Sequence, residues 1–246
     1  MNFLDRLAPA QRPNSAVVMR PAWEHLLFLH WAVAPEEIQR LLPRGVELDT
    51  FEGRAWVGLV PFTMRRVRPN WAPAAGRSLY ENFHETNVRT YVHCNGEPGV
   101  WFFSLDAANA LAVAAARLWY KLPYFHARMS LEQNEDVLRF KSQRIAPRPL
   151  PATSDVAARV ESRIFHAAPD TLEHFLVERY ILYSHARGQT FRGRVHHVPY
   201  PLQRAETLSC AENLIEAAGI ACPESAPHTL YSRGVEVEIF GLERVN

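Results

Sequence analysis

Residues 83–92 read Phe83-His84-Glu85-Thr86-Asn87-Val88-Arg89-Thr90-Tyr91-Val92, and their alternation with a period of two predicts a half-buried β-strand. One face would carry β-branched residues, which pack well in a sheet: Thr86, Val88, Thr90 and Val92. The opposite face would carry a carboxylate, an amide and a guanidinium between two aromatic rings: Phe83, Glu85, Asn87, Arg89 and Tyr91. This second face is too polar for a plain core, and it is typical of the wall of a polar pocket or the interior of a barrel.

Two interpretations of the charged residues on this strand stay open. Glu85 and Arg89 are four residues apart, which is about 13 Å at roughly 3.3 Å per residue, so they cannot pair directly. Either a ligand contacts both of them together with Asn87, or each pairs with a neighbouring strand and only stabilises the sheet.

The composition indicates a globular chain whose 246 residues form a single domain, residues 1–246. Hydrophobic residues make up 48%, which is enough for a core, and the net charge of +1 gives no strong field for nucleic acid or an anionic membrane. The three cysteines have no metal-binding spacing and their odd number argues against a disulfide framework, so we expect a reducing, cytoplasmic location. The N-terminal residues lack the apolar region of a signal peptide and no apolar run reaches the length of a membrane span, so we expect neither feature.

The remaining patterns predict nine or more strands with three or four short helices between them. This is an α+β chain dominated by antiparallel sheet, which we expect to curl into a barrel. Pro61 lies inside a predicted strand and indicates an edge or a bulge. Asp106 is expected to cap an alanine-rich helix from Ala107 to about Trp119. The segment from Arg65 to Tyr80 is expected to be a long irregular loop rich in arginine, which is either a functional loop or a solvated basic one.

The sequence contains no phosphate-binding glycine loop, no zinc motif and no nucleophile elbow, so it indicates no cofactor and no metal site. Its only two lysines are Lys121 and Lys141. A desolvated lysine can form a Schiff base with a carbonyl substrate, and such a site needs an arginine to hold an acid and a carboxylate to move protons. Lys121 is the candidate, because it follows the tightly packed alanine-rich helix.

Five segments together resemble the DUF2071 family, which includes the bacterial YqjF proteins: Phe83–Val92, Leu122–Tyr124, Glu178–Tyr183, His197–Leu202 and Ser232–Val235. The family is similar in fold to acetoacetate decarboxylase. The resemblance therefore implies a mostly antiparallel β-barrel of the acetoacetate-decarboxylase-like type with a few flanking helices. It implies no established activity.

The chain departs from the decarboxylases at their Schiff-base position. There a pair of lysines follows a proline, whereas here Pro123 is followed by Tyr124 and Phe125. Lys121 lies two residues before that proline, an offset that on a strand would keep the same face.

The interpretation that these observations favour is a protein that binds a small anionic or carbonyl-containing molecule in a polar pocket. Arg89 would hold the anion, with Asn87, Tyr91, Phe83 and Tyr124 lining the site. As alternatives, the chain is a lyase or enol-type isomerase with Glu85 and Lys121 as catalytic residues, or a non-catalytic structural or interaction protein. The sequence leaves open whether it forms a homo-oligomer.

Overall fold

The computed structural model describes residues 4–67, 82–146 and 152–245, and within them the chain forms fourteen strands and four α-helices. The strands are β1 (Val17–Met19), β2 (Ala22–Val33), β3 (Glu47–Leu48), β4 (Ala55–Arg65), β5 (Asn82–Cys94), β6 (Glu97–Ala107), β7 (Tyr124–Asn134), β8 (Val137–Ala146), β9 (Thr153–Phe165), β10 (Ile181–Ala186), β11 (Gln189–His196), β12 (Leu202–Glu212), β13 (His228–Glu236) and β14 (Glu238–Arg244). The helices are α1 (Pro35–Gln39), α2 (Ala110–Trp119), α3 (Leu172–Val177) and α4 (Leu214–Ala217). No helix of this described part is long and apolar enough to cross a membrane.

The strands belong to one sheet in which β5 pairs with β6 as well as with β4. The pairings therefore return to their starting strand in the order β6-β7-β8-β9-β12-β13-β2-β4-β5-β6. The strands β10, β11, β14 and β1 continue outward from β6 as a second row. Most pairs are antiparallel, and β6 runs parallel to both β7 and β10. The prediction of a mainly antiparallel β protein with few helices is confirmed.

The strand predicted at residues 83–92 forms the central part of β5, and its two faces have different surroundings. Val88 belongs to a core cluster that unites strands from opposite sides of the ring, because it also contains Leu59 of β4, Leu138 of β8 and Val156 of β9. That cluster therefore connects β4, β5, β8 and β9 of the ring. The opposite face of β5 faces a second hydrophobic core cluster, which extends to β11 and β14.

Pro61 is not on a sheet edge, because β4 pairs with β2 on one side and with β5 on the other. The β2 partner instead contains an extra residue at this level: Glu24 pairs with Thr63 and Leu29 with Leu59. Within that interval His25 has a φ of 53°. Of the two expectations for Pro61, the bulge is the one observed, and it lies where the ladder between β2 and β4 is interrupted.

Asp106 does not cap the alanine-rich helix, so that prediction is wrong. β6 continues to Ala107, and Asn109 is the N-cap, with a side chain that accepts hydrogen bonds from the backbone N–H groups of the second and third helical residues. Asp106 is instead buried and forms an ion pair with Arg144 of β8 at 2.7 Å. An aspartate next to an alanine run resembles a helix cap, and only the order β6-β7-β8 in the sheet shows that its real partner is Arg144.

Candidate functional site

A cavity of about 550 Å³ lies against the face of β5 that carries Glu85, Asn87 and Arg89. We call these three residues the polar face. The volume of the cavity lies within the range of about 300–1,000 Å³ that is usual for small-molecule sites. The other walls come from α2 and from residues of β1, β2, β4, β6, β7, β10, β11 and β14.

Most of the cavity wall is apolar. Large aliphatic and aromatic side chains surround the polar face, among them Met19, Trp23, Phe62, Met64, Phe102 and Leu105. A ligand that fills the space must therefore bury an apolar body, since polar groups placed against such walls would lose their hydrogen bonds to water.

Glu85 is a buried carboxyl group, with 2% of its surface exposed. The Tyr124 hydroxyl donates a hydrogen bond to Glu85 Oε2 at 3.0 Å. Burial raises the pKa of Glu85 to about 8; the Tyr124 bond opposes this rise and the nearby Asp106 adds to it. The side chain is thus mainly protonated at neutral pH, although it lies in a cavity wall where a ligand has access.

Tyr124 reaches Glu85 because of the parallel pairing between β6 and β7. Leu105 of β6 lies opposite Tyr124 in that ladder, and the antiparallel ladder to β5 places Asn87 opposite Leu105. The short pairing thus brings Tyr124 to the level of Asn87, which is next to Glu85 on the same face of β5. Burial raises the pKa of Tyr124 well above its ordinary value, so the phenol keeps its proton and acts as a donor.

Arg89 is a half-buried cation without a carboxylate partner among the described residues. Its Nη2 donates to the carbonyl of Leu176 at 2.9 Å, and its Cζ lies 5.5 Å from the ring centre of Phe28 and 5.7 Å from that of Tyr91. Its Nε is buried and finds no acceptor in the part of the chain that the structure describes. Arg89 therefore carries a positive charge into an apolar cavity, where an anion would gain an ion pair.

Asn87 lies between Glu85 and Arg89 and also lines the cavity. It is 5% exposed, and its buried Oδ1 accepts no hydrogen bond from the described residues. Unsatisfied buried polar atoms are uncommon in protein interiors and are often found at functional sites. The polar face thus contains two such residues, Asn87 and Arg89.

Tyr91 belongs to the interior below the cavity and is not part of its lining. Its hydroxyl donates to the Leu176 carbonyl at 2.7 Å and lies 2.6 Å from His30 Nε2. The tyrosine is fully buried, and its ring centre lies 4.9 Å from that of Phe175. It shares the Leu176 carbonyl with Arg89 and so supports the Arg89 end of the polar face.

Lys121 is also outside the cavity lining, although its neighbours Tyr120 and Leu122 both take part in it. The ammonium group lies 4.4 Å from the ring centre of Phe191. Lys121 follows α2 with a φ of 54°, and β7 begins only at Tyr124. The assumption of a strand at this position therefore does not hold.

The structure thus gathers five of the seven sequence-predicted site residues around one cavity: Phe83, Glu85, Asn87, Arg89 and Tyr124. The lining also contains residues that were not predicted, among them Trp23, Tyr120 and Tyr200. Tyr200 had a usable signal, since it lies in one of the segments that carry the family resemblance. The arginine-rich loop predicted from Arg65 to Tyr80 lies outside the described residues from position 68 onward, and Arg65 itself donates to Glu24 at 3.1 Å.

Comparison with known proteins gives relatives in sequence and in fold. The chain is 37% identical over 232 residues to the uncharacterized protein YqjF of Bacillus subtilis (strain 168), and this covers 94% of each chain. Among solved structures, the enduracididine biosynthesis enzyme MppR complexed with pyruvate has a TM-score of 0.66 at 11% identity, covering 96% of this chain and 93% of that one. The acetoacetate decarboxylase of Legionella pneumophila has a TM-score of 0.65 at 15% identity, covering 100% and 98%. At such identities these two structures show a shared fold alone.

The model of the DUF2071 family, described as an uncharacterized conserved protein, matches residues 20–236. That range includes β2 to β13 and contains every residue of the polar face. Together with the YqjF relative, this match shows that the chain belongs to the DUF2071 family.

Proposed function

We propose that this protein binds a small organic anion in the cavity, with the anionic group at Arg89 and the apolar part of the ligand against the surrounding walls. The proposal rests on one observation, the position of the Arg89 guanidinium in the cavity wall. Arg89 lines an apolar cavity and has no carboxylate partner among the described residues, and burying a charge without a partner is costly unless a ligand compensates.

The fold relatives support the same chemistry. One is an enzyme whose structure holds pyruvate, a small carboxylate with a carbonyl group, and another is an acetoacetate decarboxylase. Both names point to small acids that carry a carbonyl. The low identities mean that this support concerns the class of ligand and not a particular compound.

The first prediction is that carboxylates raise the melting temperature of the wild-type protein and that Arg89→Met removes this effect. A ligand present at 100 times its Kd stabilises the folded state by about 2.7 kcal/mol. That corresponds to a rise of roughly 5–10 °C for a chain of this size. A thermal-shift panel from pyruvate and acetoacetate to decanoate, at one pH and ionic strength, measures the effect.

Arg128→Met is the matched control, because Arg128 is an exposed arginine of β7 outside the cavity lining. We expect it to keep the full stabilisation by acids. Loss of the stabilisation in both variants would show that the acids respond to the overall positive charge of the protein and not to Arg89. Unchanged stabilisation of Arg89→Met would refute the proposal.

A second candidate function is catalysis of proton transfer by Glu85. The supporting observation is a carboxyl group in the cavity wall whose pKa is raised to about 8 by burial, since a group that titrates near neutral pH can both give and take a proton. The reaction class would be enolisation of a bound carbonyl compound. A Schiff base on Lys121 has less support, because that ammonium lies over Phe191; an adduct on Lys121 after borohydride reduction would revive it.

The second prediction follows from this candidate. In D₂O, the protein should exchange the hydrogens next to the carbonyl of a bound oxo acid, and Glu85→Gln should slow this exchange by a factor on the order of 100 or more, as is usual on removal of a general base. Proton NMR of the ligand measures the rate. Equal exchange by the variant and the wild type would exclude Glu85 as the base.

A further inference from the structure

The two charged or ionisable side chains of the polar face lie at different levels of the cavity. Glu85 pairs with Phe62 of β4, and Arg89 pairs with Gly58, four positions further along. Along one strand this separates their Cα atoms by about 13 Å at roughly 3.3 Å per residue.

The contacts of the two side chains keep their functional groups apart. The Arg89 guanidinium and the Tyr91 hydroxyl both donate to the Leu176 carbonyl, which fixes the cation at the end of β5 that carries Tyr91. Glu85 is instead held by Tyr124 of β7. The cavity therefore has two polar centres and not one convergent set.

The space between these two centres is bounded mainly by apolar groups. Val60 lies opposite Asn87 in the β4 ladder, and Leu105 lies opposite it in the β6 ladder, so both occupy the intermediate level. Both line the cavity, as Phe102 does at the level of Arg89. Only the Asn87 amide interrupts this apolar surface on β5.

The volume agrees with a ligand that extends over both levels. At roughly 30 Å³ per water-sized group, about 550 Å³ holds on the order of 18 non-hydrogen atoms. A three- or four-carbon acid would fill less than half of it, and it would reach Arg89 or Glu85 but not both.

We infer that the ligand is an elongated molecule with a carboxylate or similar anion at Arg89, an apolar chain or ring system in the middle, and a second oxygen at Glu85 and Tyr124. This inference rests on the proposed function and specifies its ligand class. An extended chain advances about 1.2 Å per bond, so the anionic carbon and the second oxygen are separated by roughly eight to eleven bonds. Oxo or hydroxy acids of about nine carbons have this form.

Isothermal titration calorimetry of two matched series tests the inference. One series is the linear carboxylates from three to ten carbons, and the other carries an added terminal hydroxyl or aldehyde. For the first series we expect affinity to rise roughly three- to fourfold per methylene, as for burial of apolar surface. For the second we expect an additional gain of at least tenfold that is confined to chains of about eight to ten carbons.

Variants at Glu85 identify the group that recognises the second oxygen. Glu85→Leu should abolish the additional gain while keeping the dependence on chain length. Glu85→Gln should retain most of the gain, since an amide still donates and accepts hydrogen bonds. Arg128→Met serves again as the control and should leave both effects unchanged.

The possible failures are distinguishable. If no acid of any length binds, the proposed function fails and the inference fails with it. If pyruvate and acetoacetate bind through Arg89 as tightly as the nine-carbon acids, the proposed function stands and the elongated ligand is wrong. If the terminal oxygen gives equal gains at every length, or a gain that survives in Glu85→Leu, the second polar centre is not at Glu85.

Discussion

Burial keeps Glu85 protonated at neutral pH, and this has a consequence for stability as well as for chemistry. In the unfolded chain the carboxyl group titrates near its ordinary value of 4.5, whereas in the folded protein its pKa is about 8. Between these two values the folded state binds more protons than the unfolded state, so the contribution of Glu85 to stability falls as the pH rises.

The third prediction uses this difference. Between pH 4.5 and pH 8, the free energy of unfolding of the wild type relative to Glu85→Gln should decrease by about 1.4 kcal/mol per pH unit, or about 3–5 kcal/mol in total. Above pH 8 the difference should stay constant. Urea unfolding of both proteins at several pH values measures it. A difference that does not depend on pH would show that Glu85 ionises in the folded state as it does in water.

At the scale of single residues, the alternation of residues 83–92 was sufficient to predict which side chains share the polar face. The environment of each residue could not be predicted, because it depends on partners distant in sequence. Tyr91 has the same strand phase as Arg89, but its hydroxyl is occupied by His30 and the Leu176 carbonyl. Lys121 follows α2 with a positive φ, a local conformation that its neighbours did not indicate.

At the scale of elements, β13 approaches β2 closely beside Trp23, which lines the cavity. Gly234 pairs with Glu24 and has a φ of 139°. A Cβ atom at Gly234 would lie 2.3 Å from the backbone oxygen of Trp23. A side chain at this position would therefore have to move the β2 backbone.

The fourth prediction is that Gly234→Ala destabilises the protein by about 2–4 kcal/mol, through the unfavourable φ and the contact with the β2 backbone. Gly241→Ala in β14 is the control, because nothing lies within 4 Å of its added Cβ, and we expect a change within about 0.5 kcal/mol. Chemical denaturation compares the two. Equal effects would show that β13 and β2 can separate at this point without cost.

The boundaries of α2 illustrate which features of an element the sequence can predict. Its alanine-rich composition indicated a helix that packs closely on a sheet, and Ala112 and Ala116 do line the cavity. Its start was placed at Ala107, three residues before the observed first residue Ala110. The pairing of β6 with β7 extends the strand through Ala107, and such a tertiary contact overrides local helix preference.

At the scale of the whole molecule, the cavity is lined both by strands of the nine-strand ring and by strands of the second row. Val195 of β11 and Ile239 of β14 close it from the second row, whereas the polar face belongs to the ring. The site therefore depends on pairings that unite both halves of the chain. The family resemblance indicated a mostly antiparallel sheet with a few flanking helices, but composition and periodicity alone could not have supplied the pairing order.

The polar face and the apolar walls together account for the proposed ligand, since one cation and one neutral acid are separated by an apolar surface. The measurement that tests this claim most directly is a crystal structure of the protein grown with a nine-carbon hydroxy acid. We predict the carboxylate within hydrogen-bond distance of the Arg89 guanidinium and the terminal hydroxyl at Glu85 or Tyr124. A ligand in the reverse orientation, or one bound outside the cavity, would contradict the account.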